Sequence, residues 1–211
     1  MGKFISFEGG EASGKTTQII RLQHRLAAQG FAEVLCLREP GGTPLGEKIR
    51  HLLQFDPDGQ AMTSMTELLL FAASRAQLTE TVIAPALARG AWVLCDRFID
   101  STRVYQGVAR QLGIERVGQV NALAVGTHRP QLTFILDVPI ELAFARLRDR
   151  EQHTPQDRLE SEPHTFHETV RRAYQELAAE EPSRVVLLDA SQTPEQVFDQ
   201  VWTVVQARFG V

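Results

Sequence analysis

The chain has 211 residues, of which 43% are hydrophobic, with two cysteines and a formal net charge of −4. This length and composition suit a single domain with a full hydrophobic core, spanning residues 1–211. The absence of a sequence-wide basic field argues against long nucleic acid or an anionic membrane as a partner. So few cysteines argue against a disulfide framework and favour a cytoplasmic protein, and no apolar run reaches membrane-spanning length.

The first predicted element is a buried strand at residues 4–7, which is followed by a glycine-rich run and then by a helix at residues 16–29. The run from Gly9 to Thr16 fits G-x-x-x-x-G-K-[ST], the spacing of a loop whose backbone N–H groups surround phosphates. Lys15 supplies a positive charge, the Thr16 hydroxyl is a ligand for Mg²⁺, and the helix directs its positive dipole end at the same place. The sequence therefore predicts a nucleotide-phosphate site formed by Gly9, Gly10, Glu11, Ala12, Ser13, Gly14, Lys15, Thr16 and Thr17.

Four more short apolar runs, at residues 34–37, 92–95, 132–136 and 185–188, are typical of buried parallel strands. Helical patterns separate them, and two of these begin with predicted capping boxes, Ser64 with Glu67 and Thr193 with Gln196. This alternation predicts an α/β fold in which helices flank a five-stranded parallel sheet. Cys36 and Cys95 fall inside predicted core strands, where we expect buried thiols.

Polar residues follow each predicted strand, at the sheet edge where ligands bind in open parallel sheets. Arg38 and Arg97 lie after the second and third strands, so two arginines near one nucleotide indicate a second bound anion. Asp96, beside Arg97, is placed to orient a water bound to Mg²⁺. Phosphoryl transfer between two bound phosphates requires positioning and charge neutralisation, and an acceptor phosphate that is mostly dianionic at pH 7 requires no strong general base.

Further motifs lie along the chain: REPGGT at 38–43, LFAASR at 70–75, DRF at 96–98, ST at 101–102, YQG at 105–107, RPQLT at 129–133 and DRLE at 157–160. Together with the phosphate loop they resemble the thymidylate kinase family over nearly the whole chain. The resemblance implies a P-loop NTPase fold of the nucleoside monophosphate kinase type. It also implies conversion of dTMP and ATP to dTDP and ADP with Mg²⁺, by an enzyme that forms a homodimer.

The residues give this resemblance a physical basis. Phe71 and Arg75 share one face of a predicted helix, where the ring can stack on a base and the guanidinium can donate to thymine O4. Cytosine presents an amino donor there, so Arg75 would oppose it. The resemblance further implies that Arg38 and Arg97 hold the dTMP phosphate, and that the base and sugar lie near Glu11, Ser101, Tyr105 and Gln106.

Residues 146–160 resemble the mobile lid of the family. The phosphate loop has no arginine at positions 11–13, so the lid is expected to supply the positive charge on the transferring phosphoryl group. Arg148 and Arg150 are the candidates for this catalytic role, and Arg146 is expected nearer the adenine.

Other functions remain as alternatives. The nearest is another nucleoside monophosphate or deoxynucleoside kinase on the same fold, which the pairing of Phe71 and Arg75 disfavours. A nucleotide-dependent switch protein is more remote, because a switch GTPase would need an Asn-Lys-x-Asp signal and the sequence has none. A zinc site at His153, His164 and His167 is disfavoured by the lack of a cysteine or a clear fourth ligand.

Overall fold

The computed structural model describes residues 2–151 and 157–211, and a five-stranded parallel sheet lies at its centre. The strand order is β2-β3-β1-β4-β5. The bounds are β1 Lys3–Glu8, β2 Val34–Arg38, β3 Trp92–Asp96, β4 Leu132–Asp137 and β5 Val185–Asp189. The predicted fold class is confirmed, and every predicted strand extends by one residue at its carboxyl end to include the polar residue that follows.

Helices connect the strands and cover both faces of the sheet. Their bounds are α1 Lys15–Ala28, α2 Pro44–Gln54, α3 Ser64–Leu78, α4 Ala84–Ala88, α5 Ile99–Thr102, α6 Ile114–Val125, α7 Ile140–Glu151, α8 His164–Glu180 and α9 Pro194–Phe209. A 3₁₀ turn at Pro57–Ala61 precedes α3, and π-helical turns at Thr79–Ile83 and Arg103–Ala109 prolong α3 and α5. Within residues 2–151 and 157–211, no helix combines the length and the apolar character that crossing a membrane requires.

One predicted capping box is confirmed and the other is wrong. At the start of α9, Gln196 N donates to Thr193 Oγ1 while Thr193 N donates to the Gln196 side chain. At the start of α3 the cap is Thr63, one residue before the predicted Ser64, and it accepts from Thr66 N. The Glu67 side chain cannot complete a box, because it is buried and accepts hydrogen bonds from side chains elsewhere in the fold.

Alternate residues of each strand point to opposite faces, so the core has two sides. On one side Phe7 and Phe134 pack with Leu22 of α1 and Val201 of α9. On the other side Phe4 and Val93 pack with Leu78 of α3 and Val125 of α6. Cys95 of β3 is buried as expected, whereas the expected burial of Cys36 is wrong, because β2 is an edge strand and leaves this residue exposed.

Candidate active site

A cavity of about 820 Å³ opens at the carboxyl ends of the strands. It lies beside β1. The chain passes from β1 to β2 towards one edge of the sheet and from β3 to β4 towards the other, and ligands bind where this direction reverses in open α/β sheets. The structure brings most predicted site residues to this one cavity. Those that line it are Glu11, Ala12, Ser13, Gly14, Lys15, Thr16, Thr17, Arg38, Phe71, Arg75, Asp96, Arg97, Ser101, Tyr105 and Gln106.

The phosphate loop connects β1 to α1, and Lys15 lies buried against it. Lys15 Nζ is 2.8 Å from Gly10 O, 3.3 Å from Ser13 Oγ and 3.5 Å from Gly9 O. Burial and the nearby Arg97 lower the pKa of Lys15. Gly9 has φ 134°, and a Cβ there would lie 2.5 Å from Leu136 O, so no larger residue fits without displacing backbone. The loop therefore holds a cation among carbonyl groups that a bound phosphate can replace.

The two predicted metal-site residues are in contact. Thr16 Oγ1 donates to Asp96 Oδ2 at 2.7 Å, which joins the start of α1 to the end of β3 at the rim of the cavity. A hydroxyl and a carboxylate are hard oxygen donors, and Mg²⁺ commonly takes only one or two protein ligands and completes its shell with phosphates and water. In the described residues, no cluster of three or more His, Cys, Asp or Glu side chains could hold a metal ion by itself. The pair thus fits Mg²⁺ that arrives with a nucleotide.

Arg97 connects the end of β3 to the phosphate loop. Its Nη1 donates to Gly9 O at 3.0 Å, its Nη2 lies 2.5 Å from Glu11 Oε1, and its guanidinium lies over the Tyr105 ring. Although burial favours the neutral acid, Arg97 and Lys15 hold the pKa of Glu11 down at about 2. The carboxylate is therefore charged, and it holds Arg97 beside the loop.

Glu8 organises the turn that carries Arg97, a role that sequence reasoning missed. Arg97 has φ 68°, a left-handed conformation that is unusual for a residue with a side chain. Glu8 accepts from Phe98 N at 2.7 Å, from Ser101 Oγ at 2.5 Å and from Tyr174 OH at 3.1 Å, and so fixes the backbone just after Arg97. The sequence signals only that Glu8 is a polar residue at a strand end; its partners lie about 90 to 166 positions away.

This buried carboxyl makes stability depend on pH. Burial and the negative charge of Asp100 raise the pKa of Glu8 to about 7, from 4.5 in an exposed chain. The folded state therefore binds the proton more tightly, so the contribution of Glu8 to stability is full below pH 4.5 and is lost as the pH rises to about 7. Between pH 5 and pH 8, we expect the free energy of unfolding of wild type to fall by up to about 3 kcal/mol relative to that of Glu8→Gln. Urea unfolding of both proteins measures this, and an offset that is constant with pH would contradict it.

The arginines on the acceptor side differ in burial. The Arg38 side chain is 55% exposed and donates to Glu47 at 2.8 Å. Arg75 is 1% exposed and donates to Glu39 at 2.7 Å, to Asn121 at 2.8 Å and to the Phe98 carbonyl. Three of its five N–H groups are thus occupied by the protein, which leaves two for a ligand in the cavity that it lines.

The structure describes the predicted lid in part. Arg146 donates to Ala12 O at 3.4 Å and to Ala190 O at 3.2 Å, so it bridges the phosphate loop and the loop after β5. Arg148 is exposed on α7, whereas the side chain of Arg150 and all of residues 152–156, with His153, lie outside the described residues. Residues 157, 159 and 160 line the cavity. Of the other histidines considered, His164 is exposed and His167 is buried beside Phe144 and Phe166.

Comparisons with known proteins agree with this geometry. The family model described as "Thymidylate kinase" matches residues 7–201. A thymidylate kinase of Synechococcus sp. (strain JA-3-3Ab) is 49% identical over 205 residues, which cover 97% of this chain and 96% of the relative. One of Bradyrhizobium diazoefficiens is 46% identical over 98% of this chain and 90% of the relative. The solved structure of the thymidylate kinase from Ehrlichia chaffeensis has a TM-score of 0.77 and 34% identity, and covers 97% of this chain and 98% of that chain.

Proposed function

The chain belongs to the thymidylate kinase family, and we propose that its cavity binds ATP and dTMP side by side and aligns them for phosphoryl transfer. The enzyme phosphorylates dTMP to dTDP with ATP as the donor. The observation that carries our proposal is the contact of Arg97 with Gly9 O, because it joins an acceptor-side cation to the phosphate loop of the donor. A single cavity of about 820 Å³ then contains both groups of phosphate-binding residues.

On the donor side, the loop from residue 9 to residue 17 surrounds the ATP phosphates, and Lys15 supplies positive charge to the transferred group. The Thr16 hydroxyl would hold Mg²⁺ and Asp96 would orient a water bound to the ion, which would neutralise phosphate charge. Arg146, which bridges Ala12 and Ala190, contacts the adenine. The chain forms one domain, and its lid at residues 146–160 carries Arg148 and Arg150. These two arginines stabilise the transferring phosphoryl group.

On the acceptor side, Arg97 and Arg38 bind the dTMP phosphate. Phe71 stacks on thymine, and the two remaining N–H groups of Arg75 donate to the base. Four more residues complete the acceptor site around the base and the sugar: Glu11, Ser101, Tyr105 and Gln106. All eight line the cavity.

An exposed apolar face on α3 and α6 supports a homodimer. Leu69 and Met65 of α3 are 53% and 37% exposed, and Leu123 of α6 is 88% exposed. These two helices pack against each other, so the side chains belong to neighbouring parts of one surface. A second copy of the chain would bury such a surface, which water solvates poorly.

Two free cysteines agree with a cytoplasmic enzyme.

The proposal is tested by measuring ADP release with a panel of nucleoside monophosphates at saturating MgATP. We expect kcat/KM for dTMP to exceed that for dCMP, dGMP and dAMP by about 10²-fold or more, because stacking tolerates any base while hydrogen bonds to the base edge do not. Equal use of the four acceptors would overturn the assignment of the pocket. A strong preference for another acceptor would favour a different nucleoside monophosphate kinase.

A further inference from the structure

Glu67 is a buried carboxylate outside the set of residues that contact the phosphates or the base in the proposed function. It lies on α3, one turn before Phe71, and is 1% exposed. Gln106 Nε2 donates to its Oε1 at 2.7 Å, and Arg110 approaches each oxygen at 3.3 Å. Arg158, from the lid segment, donates to its Oε2. Glu67 thus joins a helix of the base pocket, a cavity-lining glutamine and the lid.

The contact with Gln106 determines the orientation of the amide group. A carboxylate only accepts hydrogen bonds, so the amide NH₂ of Gln106 must face Glu67, and the opposite orientation would place two oxygens against each other. The amide oxygen of Gln106 is then left for the cavity that this residue lines beside Phe71. An acceptor at that place suits the N3–H of thymine, whereas cytosine has an unprotonated N3 that would oppose it.

We propose that Glu67 is a specificity-determining residue, which selects thymine by holding the amide oxygen of Gln106 towards the base. The proposal rests on the function proposed above and deepens it. Glu67 acts through Gln106 and is a positioning residue. A pocket with a fixed hydrogen-bond acceptor rejects a base that has no donor at that position. The Gln106 amide cannot rotate to suit such a base without losing its hydrogen bond to the carboxylate.

The charge environment keeps Glu67 ionised, as this role requires. Although burial favours the neutral acid, hydrogen bonds from Gln106 and the two arginines hold the pKa of Glu67 below its usual value. Arg110 is itself shared with Glu162, so the cluster contains two carboxylates and two arginines. At neutral pH the carboxylate therefore carries no proton that it could donate to an inverted amide.

The test is Glu67→Gln, which replaces an acceptor-only group with one that can also donate. Arg158 and Arg110 both donate on the Oε2 side, whereas the only arginine contact of Oε1 in the described residues is that of Arg110 Nε at 3.3 Å. The oxygen of the new amide is therefore retained at the Oε2 position, and the new NH₂ faces the Gln106 side chain and inverts its amide. The NH₂ of Gln106, rather than its amide oxygen, then faces the base. We expect the ratio of kcat/KM for dTMP to that for dCMP to fall by about tenfold to a hundredfold, mainly through KM for the acceptor, with KM for ATP unchanged.

The double variant Glu67→Gln/Gln106→Glu keeps the selectivity test valid even where the single variant does not fold. It preserves the net charge, and the carboxylate at position 106 presents an acceptor to the base in either orientation. We expect its dTMP to dCMP ratio to return to within about tenfold of wild type. Loss of the preference in the double variant would overturn the proposal.

Arg110→Gln is the matched control, because it removes a contact of Glu67 without changing the partner of the Gln106 amide. We expect its dTMP to dCMP ratio to remain that of wild type. If Glu67→Gln folds and lowers kcat/KM equally for both acceptors, Glu67 has only a structural role. If wild type itself shows no preference for dTMP, the proposed function fails, which is a different outcome.

Discussion

Replacing Lys15 with alanine is expected to lower kcat by about 10²- to 10³-fold or more, with the fold intact. The Lys15 ammonium contacts the carbonyl oxygens of Gly9 and Gly10, and a bound phosphate would replace these oxygens as its partner. Burial makes the charge unfavourable in the free enzyme and lowers the pKa of Lys15, so the cation interacts strongly with charge that develops on the transferred group. Because this interaction is strongest in the transition state, most of the loss appears in kcat.

The measurement is ADP release under saturation with both substrates, with thermal unfolding to confirm the fold. Lys48→Ala is the matched control, since it removes the same charge from an exposed position on α2 and should leave kcat unchanged. Lys15 makes no ion pair in the described residues, and Glu11, whose pKa it helps to lower, keeps its ion pair with Arg97 when Lys15 is removed. A variant that retained more than a tenth of wild-type kcat would contradict the assigned role.

The sequence predicts the sheet well because each strand is a short local run of apolar residues. The phosphate loop is equally local, since its glycines, lysine and threonine lie within nine positions. The start of α3 shows where local reasoning fails. Ser64 and Glu67 have the spacing of a capping box, but three distant donors bind the glutamate and the cap shifts to Thr63. The hydrogen-bond energy of a buried cluster outweighs that of an exposed cap.

The acceptor side of the site depends on contacts that spacing does not reveal. The family resemblance, together with the helical spacing of Phe71 and Arg75, predicts that Arg75 lines the site, and it does line the cavity. Its partners Glu39 and Asn121 lie 36 and 46 positions away on other elements, and no pattern in the sequence joins them to it. Glu8 and Glu67 were missed as organising residues for the same reason. A single sequence thus identifies groups that contact a ligand more readily than groups that hold them in place.

Arg97→Ala is expected to impair both dTMP binding and phosphoryl transfer, whereas Arg38→Ala is expected to impair mainly dTMP binding. Arg97 holds Gly9 O of the phosphate loop, and its removal also leaves the partly buried Glu11 carboxylate without its ion-pair partner. An unpaired carboxylate beside the phosphates would repel the substrates or take up a proton. We expect KM for dTMP to rise at least tenfold and kcat to fall by about 10²- to 10³-fold.

Arg38→Ala provides the contrast, because it removes the same charge from the acceptor side without touching the loop. Its guanidinium is exposed and pairs with Glu47 at the surface of α2, so we expect a higher KM for dTMP and a kcat within about tenfold of wild type. Steady-state kinetics with each substrate varied separates the two patterns. If both variants changed only KM, Arg97 would serve binding alone. We expect a fall in kcat confined to Arg97→Ala, since of these two arginines Arg97 alone contacts the phosphate loop in the part of the chain that the structure describes.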